Sequence, residues 1–180
     1  LIWQMKSGDR TSFDQIYEKY RVPLFRSAYL ICGNREDAED VLQDTFVTCW
    51  LCIGQLRKEE SFRCWIFRIM TQAARKRAKE RSRQIPDEDI VNRIDQVAVS
   101  RRMEAADEYE RTADKALIEA ALSALDQASR EVIVLYYYEE MSVKEVARTL
   151  GILEGTVKSR LDFARRKLKK ILQEGGRREK

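Results

Sequence analysis

Ser142-Val-Lys-Glu-Val-Ala-Arg-Thr-Leu-Gly-Ile-Leu-Glu-Gly-Thr-Val-Lys-Ser-Arg-Leu161 is the stretch on which the fold of this 180-residue chain turns. Ser142 and Glu145 have capping-box spacing. The serine hydroxyl takes the amide of the third helical residue, and the glutamate reaches back to the serine amide, so a short helix starts here. Gly151 ends it, since glycine supplies a positive-φ turn residue at low strain. A second helix is expected from Leu153 or Glu154. Three positions are sterically strict in such a pair. Ala147 lets the helices approach, Gly151 makes the turn, and Val157 seats the second helix on the first, helped by Val146, Leu150 and Leu161. The spacing predicts a helix-turn-helix. Its second helix leaves Lys158, Ser159, Arg160, Arg165 and Arg166 unburied, which suits it to a DNA major groove, with N-terminal side chains at base edges and cations on phosphates. Any tight helical hairpin can show a small residue followed by glycine; the basic outer surface argues for DNA.

Working outward, the pattern stays helical. Upstream, Ala113, Ala116, Leu117, Ala120, Ala121 and Leu125 form one stripe, and Val132, Ile133, Leu135 and Tyr136 form another after a break near Asp126. From about Gln84 to Thr112 the chain is polar, with Pro86 and the acidic trio Asp87, Glu88 and Asp89, and it reads as a linker that orders on a partner. Before it lies a second helical half. Phe13, Ile16, Tyr17, Tyr20, Leu24, Phe25, Ala28 and Tyr29 recur at helical spacing with a bend expected at Pro23. Gly33-Asn34 stops that element and caps the next, whose stripe Ala38, Val41, Leu42, Thr45, Phe46, Cys49, Trp50 and Ile53 is unbroken. Ser61 is expected to cap a third helix with the inner face Phe62, Trp65, Ile66, Ile69 and Ala73, which runs into the basic extension Arg75–Arg83.

Composition agrees and excludes other classes. Charged residues make up 36% and aromatics 9%, with only 7 Gly and 2 Pro, too few turn residues for a strand-rich fold. The net charge of +4 is unevenly spread: cations crowd Arg63–Arg83 and Lys158–Lys180, acids crowd Glu36–Asp44, and this favours several distinct partner surfaces. No apolar run approaches the roughly 20 residues that span a bilayer. No signal peptide is visible, and the opening at Leu1 leaves room for a few native residues ahead of it. The four cysteines, Cys32, Cys49, Cys52 and Cys64, include one pair at metal-ligand spacing, but the chain has no His and three of the four lie in apolar stripes. They are read as reduced, partly buried small hydrophobes of a cytoplasmic protein, with no metal and no cofactor. With neither His nor a phosphate-cradling glycine loop, an enzyme is not expected.

Specific segments then carry a family resemblance. Ser129–Ala147, with its Ser-Arg-Glu-Val-Ile-Val-Leu-Tyr-Tyr-Tyr-Glu-Glu-Met-Ser run, resembles the start of region 4 of RNA polymerase sigma factors, and Gly155–Leu161 resembles that family's recognition-helix signature. Asp37-Ala-Glu-Asp-Val-Leu-Gln-Asp-Thr-Phe46 resembles the segment that docks on the clamp helices of the polymerase β′ subunit. Trp65-Ile-Phe-Arg-Ile-Met-Thr-Gln-Ala-Ala74 and the basic run after it resemble the part of region 2 that recognises and opens the −10 element. The group resembled is the small extracytoplasmic-function type.

That resemblance implies an all-α protein of two small domains: a region 2 helical bundle at 1–83, a polar linker at 84–112, a region 4 helix-turn-helix at 113–174 and a basic tail at 175–180. It implies that Thr156, Lys158, Ser159, Arg160, Asp162, Phe163, Arg165 and Arg166 address double-stranded DNA at the −35 element. Arg68, Thr71, Gln72, Arg75, Lys76, Arg77 and Lys79 would address single-stranded DNA at the −10 element, where capture needs cations for the backbone. Trp65 and Phe67 are read as structural. Asp37, Glu39, Asp40, Gln43, Asp44 and Phe46 would meet core polymerase, with further contacts to its β subunit. A cognate anti-sigma factor is implied as a partner. Two departures from the family pattern, Gln72 where Asn is usual and Lys76 where an acid is common, bear on base preference.

Length is consistent with two tethered halves. A compact globule of this size has a radius of gyration of roughly 16 Å. Promoter elements about 25 base pairs apart lie on the order of 85 Å apart on B-form DNA. A tether of about 28 residues reaches at most roughly 95 Å. The competing expectation is a stand-alone helix-turn-helix regulator, which would need a dimer interface or effector pocket that neither half displays.

Overall fold

The computed structural model describes residues 1–83 and 113–175, with the side chains of 113–117 and 174–175 left aside; the linker at 84–112 and the tail beyond 175 lie outside the described residues. A short helix, α1 (Ile2–Lys6), precedes α2 (Arg10–Cys32). Asp9 caps α2 by accepting from the amides of Thr11 and Ser12 at 3.3 and 3.1 Å. Pro23 sits inside α2, where a bend was expected, yet the helix continues to Cys32 with Leu24, Ser27, Ala28 and Ile31 beyond it all buried. Gly33 ends it at φ 79°, its amide on the Tyr29 carbonyl. Asn34 then caps α3 (Arg35–Cys52), its side-chain oxygen accepting from the Asp37 amide at 2.8 Å, with Glu36 and Asp37 at the positive end of the helix dipole.

α3 buries Ala38, Val41, Thr45, Phe46 and Cys49 against α2. Aromatic edges fill the seam: Phe13 meets Trp50 at 5.1 Å and Phe46 at 6.2 Å, and Tyr17 meets Phe46 at 4.7 Å between ring centroids. Two 3₁₀ turns, Ile53–Gln55 and Glu59–Ser61, lead into α4 (Phe62–Arg83). Ser61, expected as a cap, forms the last residue of the second turn.

The second half comprises α5 (Ala113–Ser123), α6 (Gln127–Ile133), a π-helical turn at Val134–Tyr138, α7 (Val143–Leu150) and α8 (Glu154–Gly175). Asp126 caps α6 through the Ser129 amide at 2.9 Å. No strand occurs among the described residues, in keeping with an all-α chain.

The two halves pack on one another rather than standing apart. Their buried apolar side chains form one continuous cluster from Met5 to Ala164. α4 is the element shared by both. Besides the expected Phe62, Ile66 and Ile69, it buries Cys64, Phe67, Met70, Thr71 and Ala74, while Trp65 and Ala73 are only half-buried. A helix covered on two sides loses the single stripe that its sequence would show in isolation.

Candidate nucleic-acid interface

The helix-turn-helix is built as local chemistry dictates. The Ser142 amide donates to the Glu145 carboxylate at 2.9 Å, and the Glu145 amide donates to the Ser142 hydroxyl at 3.3 Å. The hydrogen bond with the Ser142 side chain holds the Glu145 carboxyl below its ordinary pKa. Gly151 adopts φ 68° and ψ 38°, the left-handed turn conformation, and its amide returns to the Ala147 carbonyl. Val157, Leu161 and Ala164 are buried at 0, 2 and 0% exposure, so the opposite side of α8 must face outward. That outward side carries Lys158, Ser159, Asp162, Phe163 and Arg166, with Thr156 and Arg160 half-buried beside it. Asp162 and Arg166 pair at 3.0 Å in a largely exposed position.

Arg165, expected at the −35 element, is exposed and also has partners within the chain. Its Nε donates to the Tyr137 hydroxyl at 2.8 Å, and its guanidinium lies 5.6 Å from the rings of both Tyr136 and Tyr137. The Tyr137 hydrogen bond raises its pKa. The π-helical turn at Val134–Tyr138 is what presents these two rings to α8.

The basic helix α4 has its cations divided among three neighbours. Arg68 donates to the carbonyls of Arg148 and Thr149 at 2.9 and 3.3 Å, at the negative C-terminal end of α7. Arg75 makes a bidentate pair with Glu131, at 2.9 and 2.5 Å, and Glu131 has 0% side-chain exposure. The hydrogen bond to Glu131 raises the Arg75 pKa. Arg77 pairs with Asp40, and Arg81 with Asp37 at 2.9 Å, tying α4 back to α3. Gln72, Lys76 and Lys79 face solvent, Lys76 with Glu80 at 3.9 Å. Thr71 is buried, its hydroxyl donating to the Arg68 carbonyl, so its side chain is not presented to a strand. Phe67 is buried as well, at 1% exposure, a structural position as expected.

The acidic face of α3 is real but partly engaged. Gln43 and Asp44 face solvent, Glu39 is exposed with Arg35 at 2.7 Å, and Asp37 and Asp40 are half-buried in their arginine pairs. Phe46 belongs to the core at 5% exposure, wedged between Phe13 and Tyr17, so it backs this face instead of lying on it. Past Asp44 the same side of the helix turns apolar, with Val47 and Leu51 exposed at 53 and 74%.

Several groups join the halves that sequence reasoning did not single out. Glu139, nearly buried, accepts from the Ser27 hydroxyl at 2.7 Å and from Arg63, whose guanidinium also reaches the Glu139 main-chain carbonyl. Arg130 donates to the Ile31 carbonyl at 2.8 Å across the divide. One signal was available: Glu131 stands four residues before Leu135, on the apolar side of its helix, where a lone carboxylate requires a cation.

No group of three or more His, Cys, Asp or Glu residues is placed to hold a metal ion among the described residues. All four cysteines are free; burial pushes the Cys32 and Cys49 thiols up to about 12, which keeps them protonated and unreactive at neutral pH. No helix among the described residues is long and apolar enough to cross a membrane.

Comparison with known proteins matches this architecture throughout. The family model for Sigma-70 region 2 matches residues 16–84, and that for Sigma-70, region 4 matches residues 121–170. The chain is 34% identical over 164 residues to the ECF RNA polymerase sigma factor SigL of Mycobacterium tuberculosis, covering 89% of each chain. Among solved structures, CnrH in complex with the cytosolic domain of CnrY superposes with a TM-score of 0.69 at 29% identity, over 96% of this chain and 94% of that one. The sigma factor RpoE in complex with the anti-sigma factor NepR from Bartonella quintana shares the fold, with a TM-score of 0.70 at 22% identity over 90% of this chain and 97% of that one. A helix-turn-helix in one half, an acid-faced helix beside a basic one in the other, and these matches lead to one conclusion: the chain belongs to the ECF sigma factors of RNA polymerase, which bind the core enzyme and direct it to initiate transcription at promoters.

Proposed function

We propose a division of that work among three surfaces. Residues 1–83 act as region 2, 113–174 as region 4, with 84–112 as the tether and 175–180 as a basic tail. The outward side of α8 reads the −35 element: Thr156, Lys158, Ser159 and Arg160 near its start, Asp162 and Phe163 as discriminators of sequence, and Arg166 on phosphate. Arg165 is better read as a clamp between α8 and the tyrosines than as a phosphate ligand. Gln72, Lys76 and Lys79, joined by Arg68, Arg75 and Arg77 once those are released from their partners, hold the opened strand at the −10 element. Asp40, Gln43 and Asp44, flanked by Asp37 and Glu39, dock on the polymerase β′ clamp helices. Sigma factors are non-catalytic initiation factors, and no catalytic step is assigned to this chain. It works in the cytoplasm, where core polymerase is. A cognate anti-sigma factor is the proposed regulator; RpoE of Bartonella quintana is solved in complex with the anti-sigma factor NepR.

The observation that carries the −35 assignment is the exposed polar start of α8, held rigidly by the buried Val157 and the Gly151 turn. Lys158→Ala is expected to weaken binding to a −35 duplex and to lower the log–log salt slope by about 0.9, one phosphate contact. Arg165→Ala is expected to leave that slope unchanged, because its charge is turned toward Tyr137. Equal slopes for wild type and Lys158→Ala would remove Lys158 from the backbone contacts.

A further inference from the structure

A cavity of about 230 Å³ lies where the ends of α2 and α4 meet the start of α6, and none of its lining residues comes from α8. Arg77, Arg81 and Arg130 bring three guanidiniums to it, and Asp37 is the carboxylate among its lining residues. The guanidiniums are held in place with donors to spare. Arg81 gives one Nη to Asp37 at 2.9 Å, while Arg77 pairs with Asp40 and has Glu80 3.9 Å from its other Nη. An arginine carries five N–H groups in a rigid fork, so a carboxylate on one edge leaves the rest for a second acceptor. Arg77 Nε is short of one already, being buried with no hydrogen-bond partner. Arg130 is fixed from behind by the main-chain carbonyls of Leu122, Ser123, Leu125 and Ile31 at 2.8 to 3.1 Å, which orient its charge without cancelling it. The half-buried Cys32 registers the field in the cavity: burial and Asp37 push its thiol up, and Arg130 and Arg81 pull against them.

We infer that this cavity is a binding site for a small phosphorylated anion, of phosphate to pyrophosphate size, gripped by Arg77, Arg81 and Arg130. Phosphate oxygens are acceptors only, and the planar guanidinium fork matches them two at a time. The ion pairs and carbonyls that already fix the three side chains leave little rotamer freedom to be lost on binding. Asp37 does not close the site to an anion, because its Oδ2 is itself held by Arg81 and by the Asn34 side-chain amide at 2.7 Å. A small turn of Arg77 toward the anion would also satisfy its buried Nε. Volume sets the size of the ligand. Cavities for drug-sized molecules run to roughly 300–1,000 Å³, and this one lies below that range, so it takes a phosphate or pyrophosphate group and not a whole nucleotide. A nucleic-acid strand presents singly charged diesters flanked by sugars, too wide for such a space, whereas a terminal phosphate enters end-on.

Calorimetric titration of the full chain with inorganic pyrophosphate, at constant ionic strength, tests the site. One saturable event is expected, and thermal unfolding should rise by about 5–10 °C when the anion is at about a hundredfold excess over its Kd. Ala78 lines the cavity from an exposed position on α4, so Ala78→Leu fills space without altering a charge or disfavouring the helix. Both Ala78→Leu and Arg81→Gln are expected to weaken binding by about tenfold or more. Lys19→Gln removes the same charge from an exposed site on α2, about 20 Å along that helix from Cys32, and should stay within about twofold of wild type. Circular dichroism checks that each variant is folded; should Arg81→Gln lose helicity, Ala78→Leu alone decides. Absence of saturable binding up to about 10 mM, or wild-type affinity in the folded variants, overturns the site. An equal loss in Lys19→Gln reduces the effect to net charge and overturns it too. A single-stranded oligonucleotide that displaces pyrophosphate, and is itself weakened in parallel by Ala78→Leu, would give the cavity to nucleic acid and overturn the small anion.

Discussion

A chain carrying Asp40→Lys and Asp44→Lys is expected to bind core RNA polymerase roughly 30- to 150-fold more weakly, a loss of about 2–3 kcal/mol. The two acids project from α3 one turn apart, on the side that continues into the exposed Val47 and Leu51. Their individual contributions are separable. Asp44 faces solvent, so Asp44→Lys alone tests docking with the fold intact. Asp40 accepts from Arg77, whose Nε is buried without a hydrogen-bond partner, so reversing Asp40 also sets two cations against each other between α3 and α4. The single Asp44 variant should therefore lose affinity without losing thermal stability, and the double variant should lose both. Titration of labelled core polymerase, paired with thermal unfolding, reads the two effects. Wild-type affinity in both variants would place the dock elsewhere.

Val157→Asp is expected to abolish binding to a −35 duplex and to lower the unfolding temperature by roughly 8–16 °C, the shift for about 4 kcal/mol in a chain of this length. Val157 has 0% exposure in the seam where α8 sits on α7, beside Val146, Ala147, Leu150 and Leu161, all at 7% or less. A carboxylate there meets no donor and must either be buried uncompensated or drive the helices apart. Val157→Ala, which removes volume but adds no charge, should cost on the order of 2 kcal/mol and retain DNA binding. Differential scanning calorimetry and duplex titration distinguish these outcomes. A shift below about 3 °C for the aspartate would mean that Val157 does not seat the recognition helix.

The elements that fold on their own terms were legible in sequence. Ser142, Glu145, Ala147 and Gly151 act within one short segment, so local rules locate the helix-turn-helix to within a residue. The α3 stripe was legible because that helix buries one face. α4 was only half legible. Its periodicity announced Phe62, Ile66 and Ile69 but not Cys64, Met70 and Thr71, because a helix packed against α2, α3 and α7 buries more than one face. The same long-range packing hid the partners of Arg63 and Arg75, which lie 76 and 56 residues away along the chain. By type Arg68 and Arg75 are cations suited to DNA; only the fold reveals that carbonyls and a carboxylate of the same chain hold them. The Tyr137 partner of Arg165 was hidden for a related reason, since helical spacing places Arg165 on the flank of α8 but does not set it against Tyr137.

Transcription from reconstituted holoenzyme tests the central claim most directly. Core polymerase with the purified chain would be supplied with genomic DNA, and the 5′ ends of the transcripts sequenced beside a reaction with core alone. The account predicts discrete starts that depend on the chain, each preceded by a shared pair of elements about 25 base pairs apart, a separation on the order of 85 Å. Start sites identical to those of core alone, from a chain that leaves core unbound yet grips a palindromic operator by itself, would contradict it.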